Sequence, residues 1–198
     1  ITLTRQVSAP NPALRIPPNV LYANVEQPMT ERINKILQDL IGLALTRTTR
    51  AADMECMKFG TIYQEDKNGI AHNIGEFGLH IQCPWRLTND KEMIVGSSDL
   101  YEQINETIEY DENFEWDKIG GNLRDVKFRN FLADRNIIVR SANADKFGGL
   151  QIAFDNNIIL TVFPVTSSKA DCEYWRLLDN RDESRNHYLS TSQGYVLD

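Results

Sequence analysis

Apolar positions along this chain follow two rhythms. Between Thr30 and Gly42, Ile33, Ile36, Leu37, Leu40 and Ile41 recur at helical spacing, while Arg32, Asn34, Lys35, Gln38 and Asp39 face away. That pattern predicts an amphipathic helix over 31–41. Thr30 is its expected cap, Glu31 suits the first turn, and Gly42 can end it. Each buried Leu or Ile of such a stripe is worth roughly 1.5–3 kcal/mol, so the stripe should dock on a sheet. A second helix is predicted over 123–134, with Asn122 as cap and Val126, Phe128, Phe131 and Leu132 as its apolar side.

Elsewhere the rhythm is that of strands, at Met54–Ile62, Gly75–Leu87, Met93–Gly96, Ile137–Ala142, Gly149–Asp155, Ile158–Pro164, Tyr174–Leu178 and His187–Leu197. Polar turns such as "EDKNG" and "TNDKE" separate them, and "FDNNII" reads as a tight hairpin because Asp and Asn tolerate positive φ. The expected fold is therefore α+β: a largely antiparallel sheet with two main helices packed on it. Each half runs from a helix into several strands, and "WRL" occurs at 85–87 and again at 175–177. An internal duplication would give two sheets and halves of 29–118 and 119–198. Residues 1–28 hold five of the seven prolines and read as an extended arm before a single domain at 29–198.

The stretch "GEFGLHIQCPWRL", residues 75–87, brings a His, a Gln, a Cys, a Trp and an Arg together. As one strand, it turns Phe77, Leu79, Ile81, Cys83, Trp85 and Leu87 to one face and Glu76, Gly78, His80, Gln82, Pro84 and Arg86 to the other. Cys83 and His80 then lie on opposite sides, which denies them the contact a nucleophilic pair needs. Cys83 reads as a small buried hydrophobe. The polar stripe of Glu76, His80, Gln82 and Arg86 is either a solvated outer face or a site for a small ligand. In the second case His80 would be the acid/base and Arg86 would hold an anion.

Composition adds bounds. The chain has 198 residues, 41% hydrophobic and 25% charged, as a globular domain with a sizeable core requires. No run approaches the roughly 20 apolar residues of a membrane span, and no basic-then-apolar leader opens the chain. Three widely spaced cysteines argue for a reducing compartment, so a cytoplasmic protein is expected. The net charge of −7 is local: Glu92–Asp117 contains nine acids and no Lys or Arg, and the rest carries 19 acids against 21 bases. Nucleic acid is a poor match for such a chain.

The acidic segment is interleaved with aromatics, and its candidate partner-binding residues are Glu109, Asp111, Glu112, Phe114, Glu115 and Trp116. Carboxylates speed association with a basic surface and aromatics supply anchoring area. The segment lacks the alternating ligands and central Gly of a calcium loop. The three histidines make no HxxxH spacing, so no metal or cofactor is expected. "GGNLRD" at 120–125 has glycines before a helix but neither the Lys nor the spacing of a phosphate loop, and an Asn-capped helix start explains it. "LTRTTRAADME" sets Arg47, Arg50, Asp53 and Glu55 near one another, which suits ion pairing at a sheet edge. No GxSxG or HExxH signature occurs, and no catalytic residue is assigned.

The series "LIGLALTRTTRAADMECMKFG", "GEFGLHIQCPWRLTNDKEMIVGSSDLY", "GGNLRD" and "LTVFP…EYWRLLDN" resembles a family of uncharacterised bacterial proteins. The resemblance spans residues 35–190 and leaves out the Pro-rich arm. It implies a bacterial, intracellular origin but no activity, cofactor or catalytic residue. In style such proteins are similar to immunity proteins of contact-dependent toxin systems. The expectation is thus a non-catalytic protein-binding module, an immunity or inhibitor protein whose partner is a basic-surfaced toxin.

Overall fold

The computed structural model describes residues 28–197, apart from positions 106, 108, 134, 169, 183 and 185. The Pro-rich arm, up to residue 27, lies outside the described residues. The chain runs through α1 (Met29–Leu37), β1 (Leu45–Ala51), β2 (Met54–Phe59), β3 (Tyr63–Glu65), β4 (Ala71–Asn73), β5 (Phe77–Ile81), β6 (Trp85–Thr88) and β7 (Met93–Gly96). After these come α2 (Leu123–Leu132), β8 (Val139–Ala144), β9 (Leu150–Phe154), β10 (Ile159–Val162), β11 (Glu173–Asp179), β12 (His187–Thr191) and β13 (Gly194–Leu197). One antiparallel sheet has the order β1-β2-β5-β11-β12-β13 and a second the order β7-β6-β10-β9-β8, with β3-β4 a separate hairpin. The class is α+β.

Both sheets contribute to one core. Met57, Phe59, Leu79, Ile81, Trp175 and Leu177 from the first pack with Trp85, Leu87, Val139, Ile152, Leu160 and Val162 from the second. The helices sit at the open sides of this pair of sheets. α1 contacts the edge strands β8 and β13, while α2 contacts the edge strands β7 and β1. Edges need such cover, since unpaired strand backbone otherwise recruits another chain.

The same order of elements occurs twice. A helix leads into a three-strand meander (β1-β2-β5, then β8-β9-β10), and the chain then crosses to the other sheet (β6-β7, then β11-β12-β13). The registers agree residue by residue. Leu45 faces Phe59 as Val139 faces Phe154, and in both pairs a bulge follows at once, at Thr46 and at Arg140. Trp85 and Leu87 pair with Val162 and Leu160; Trp175 and Leu177 pair with Ile81 and Leu79. The two "WRL" tripeptides therefore hold the same place in opposite sheets. Where the repeats meet, Ala44 and Ile138 form a bridge flanked by Val139 N–H to Leu43 O (2.9 Å) and Leu45 N–H to Ile137 O (3.0 Å).

Several local expectations change. α1 starts after Pro28, without a side-chain cap from Thr30, and gives way after Leu37 to a 3-10 turn at Gln38–Leu40. The tighter turn shifts the phase of the stripe, so Leu40 is buried and Ile41 is exposed. The single strand expected over 75–87 is two strands in two sheets, because the chain crosses between them at Gln82–Pro84. Pro84 cannot donate to a ladder, which suits that crossing. "FDNNII" is a hairpin turn, with Asn156 and Asn157 both at φ +57°. β1 and the β3-β4 hairpin have no counterpart among the expected strands, since neither carries a clean apolar face.

Candidate functional site

The densest polar chemistry gathers where the β1-β2 hairpin meets the start of α2. "TRAADME" and "GGNLRD", unrelated in the linear chain, are packed together here. Asn122 caps α2, its Oδ1 accepting from Asp125 N–H at 2.9 Å while its Nδ2 donates to Trp116 O at 2.9 Å. The Asp125 carboxylate accepts from Gly120 N–H at 2.7 Å and from Arg50 Nε at 3.0 Å. Arg50, with its side chain only 3% exposed, also donates to the Asp117 carboxylate and the Asp117 carbonyl, each at 2.9 Å.

Beside it lies a second buried pair. Arg124 and Glu55 are 1% and 3% exposed, with Arg124 Nε 3.5 Å from Glu55 Oε2. That contact is an ion pair without hydrogen-bond geometry, and Arg124 Nε and Nη2 have no hydrogen-bond partner. Nη1 donates to Asp53 O at 3.1 Å, and the guanidinium lies 5.8 Å from the Trp85 ring centre. Burial pushes the Glu55 carboxyl up to about 8 against the pull of Arg124, and burial also lowers the Arg124 guanidinium. Such a pair costs desolvation and stabilises little by itself. Its consequence is positional: it ties the β1-β2 turn to α2.

This network anchors the acidic segment. Arg50 and Asn122 hold Trp116 and Asp117 at its C-terminal end, and Leu123 N–H bonds Glu102 O at 2.9 Å at its start. Within the loop, Gln103 Nε2 donates to Glu109 O and its Oε1 accepts from Asp111 N–H. Glu109, Asp111, Glu112 and Glu115 are exposed. The aromatics differ from expectation. Trp116 packs on Tyr101 with ring centres 5.4 Å apart and Phe114 meets Tyr110 edge-on at 6.0 Å, so both are half-buried. The apolar groups open to a partner include Tyr101, Ile104, Tyr110 and Ile119, the last 74% exposed. Ile104 and Ile119 share a hollow of about 450 Å³ with Asp111, Phe114, Glu115 and Lys118.

The alternative polar stripe is divided by the crossing at Gln82–Pro84. His80 belongs to the six-stranded sheet, with Glu76 in the bend just before β5, Arg86 belongs to the five-stranded one, and exposed Gln82 lies between them. His80 faces Cys56 on β2 and Arg176 on β11 in cross-strand register, and Lys58 Nζ lies 3.2 Å from where a Gly78 Cβ would stand. Arg86 lies over Phe163 at 5.7 Å, and Gln82 donates to Glu173 at 3.0 Å. Burial, then Lys58 and Arg176, lowers the His80 imidazole, and burial raises the Cys56 thiol. Both shifts oppose a thiolate–imidazolium pair between His80 and Cys56. Burial also pushes the Cys83 thiol up to about 12.

Among the described residues no cluster of His, Cys, Asp and Glu could hold a metal ion, and no helix is long and apolar enough to cross a membrane. Sequence reasoning placed the ion pairs at a sheet edge but missed their partners on α2. Only the charge alternation in "GGNLRD" against "TRAADME" hinted at them. Compared with known proteins, the chain matches no family model, no curated protein and no solved structure.

Proposed function

We propose that the protein is a non-catalytic protein-binding module that presents the acidic face of loop 102–121 to a basic partner surface, as an immunity or inhibitor protein presents one to a toxin. The observation that carries this reading is the anchoring of the loop by Arg50. A loop that served only as a solvated connection would not need a nearly buried arginine bonded to both the side chain and the main chain of Asp117. Anchored in this way at its ends, the loop sets exposed Glu109, Asp111, Glu112 and Glu115 beside exposed Tyr110 and Ile119. Preorganised charge of one sign raises association rates, and adjacent apolar groups supply contact area. The repeated register supports the further reading of the chain as two copies of one α–β unit, of which only the first carries this loop.

The test is affinity capture with the immobilised protein at low and moderate salt, comparing wild type with the combined variant Glu109→Gln, Asp111→Asn, Glu112→Gln and Glu115→Gln. Wild type is expected to retain a basic protein that the variant loses, with retention falling as salt rises. Equal retention by a variant with unchanged melting would remove the acidic face from the reading.

A further inference from the structure

The two repeats treat equivalent edge strands differently. In an antiparallel pair, alternate residues turn N–H and C=O toward the partner strand and the others turn them outward. On edge strand β8 the outward residues are Ala142 and Ala144, and side chains of α1 and of the 3-10 turn after it bond three of their four outward groups. Asn34 Nδ2 donates to Ala144 O at 3.0 Å, Asn34 Oδ1 accepts from Ala144 N–H at 2.7 Å, and Gln38 Nε2 donates to Ala142 O at 3.2 Å. The shared register carries Ala142 onto Thr48 and Ala144 onto Arg50 of edge strand β1. The helix positions correspond too. Asn34 and Gln38 precede Leu45 by the same number of residues as Phe128 and Leu132 precede Val139.

Phe128 and Leu132 have no hydrogen bond to give. In place of the side-chain bonds of the first repeat, the second has a groove of about 590 Å³ between β1 and α2, lined by Thr48 and Arg50 on one wall and by Phe128 and Leu132 on the other. Exposed Arg47 and Arg129 also line it. Arg50 is answered by Asp117 and Asp125. Glu55 and Asp125 line it as well, so Arg47 and Arg129 are the lining charges that have no ion pair among the described residues, in a chain whose net charge is −7.

We infer that this groove receives an extended peptide segment of a partner protein, which pairs with β1 through Thr48 and Arg50 and carries apolar side chains alternating with carboxylates. The peptide main chain supplies the ladder bonds that Asn34 and Gln38 supply on the other edge. Its apolar side chains meet Phe128 and Leu132, and its carboxylates meet Arg47 and Arg129. The groove shares Ile119 and Gly120 with the acidic loop and Arg50 with its anchor, so the two readings are separated by variants outside that overlap: Arg47, Arg129 and Leu132 for the groove, Glu109, Asp111, Glu112 and Glu115 for the loop.

The probe is a synthetic capped hexapeptide of alternating Glu and Val, titrated into the full chain by fluorescence polarisation, with amide exchange followed by NMR. A second peptide with the same side chains carries N-methyl groups on alternate amides. The first peptide is expected to protect the Thr48 and Arg50 amides at least ten-fold, and the N-methylated one to bind at least ten-fold more weakly. Arg47→Glu with Arg129→Glu should weaken binding by a similar factor. Leu132→Gln, which installs the group found at Gln38, should weaken it about five-fold, read at a temperature where the variant's melting curve shows it fully folded. Equal binding of the two peptides overturns the inference. So does strong protection of both amides in the free protein at every concentration, which would place the chain's own residues there, or protection that grows with protein concentration, which would place a second copy there.

Discussion

Phe59 and Phe154 stack with ring centres 6.4 Å apart and planes 6° from parallel. They are the same residue of the two repeats, each ending the second strand of its meander and facing Leu45 or Val139 across the ladder. The contact thus joins the two sheets through equivalent side chains, and it should be energetically coupled. Phe59→Leu and Phe154→Leu are each expected to cost about 1.5 kcal/mol in urea unfolding. The double variant should lose about 1 kcal/mol less than the sum, the coupling that a buried aromatic pair supports. Strict additivity would mean that the ring contact adds nothing to the burial of each side chain.

Arg50 should be the residue that holds loop 102–121 to the body. Arg50→Ala is expected to lower stability by about 2–3 kcal/mol, the range for charge-assisted hydrogen bonds with partly buried partners. It should also accelerate amide exchange at Phe114 and Lys118, whose bonds lie within the loop. Arg50→Lys keeps the charge and loses the planar fork, so it should recover less than half of the loss. A lysine variant that matched wild type in both readouts would reduce Arg50 to a generic cation.

Glu55 makes stability depend on pH in a direction unusual for a carboxylate. Its ordinary value is 4.5 and burial lifts it to about 8 in the folded chain. Between those values the folded state binds a proton that the unfolded state releases, so this group's contribution is greatest below about pH 4.5 and declines as pH rises toward 8. Glu55→Gln removes the titration and keeps the shape. Thermal melts from pH 5 to 8 should show wild type losing more stability with rising pH than Glu55→Gln does, so that a gap in favour of the variant opens between them. Parallel curves would show that Arg124 keeps Glu55 ionised throughout.

The β1-β2 turn carries a small strain that a glycine relieves. Ala52 sits at φ +52°, in the left-handed region, and Asp53 beside it gives its carbonyl to Arg124. Ala52→Gly is expected to stabilise the protein by about 0.5–1 kcal/mol, read from the urea midpoint. A loss of stability would mean that the methyl group packs well enough to offset the backbone cost.

How far the fold was legible varied with the kind of element. α2, its Asn122 cap and the Asn156–Asn157 turn were readable because each is fixed by residues a few positions apart. The strands with one apolar face were readable for the same reason. β1 was not: "LTRTTRA" lies at an edge and partners polar groups on both sides, so no period of two survives in it. The stretch 75–87 kept its alternation across a change of sheet, because both β5 and β6 face the same core from opposite sides. Periodicity reports which side chains are buried and is blind to which sheet buries them.

The chain by itself determined its α+β class, its localised acidity and the twofold occurrence of "WRL". Those are properties of local spacing and composition, which the linear order contains in full. Only the tertiary structure decided that Arg50 meets Asp125, that Glu55 meets Arg124, that His80 and Arg86 part onto two sheets, and that among the described residues no side chain bonds the outward main chain of Thr48 and Arg50 as Asn34 and Gln38 bond that of β8. Each of these depends on residues separated by long stretches of chain and brought together by strand register and by the crossing between sheets. No local pattern specifies such contacts, because the free energy that fixes them is that of the whole packed core.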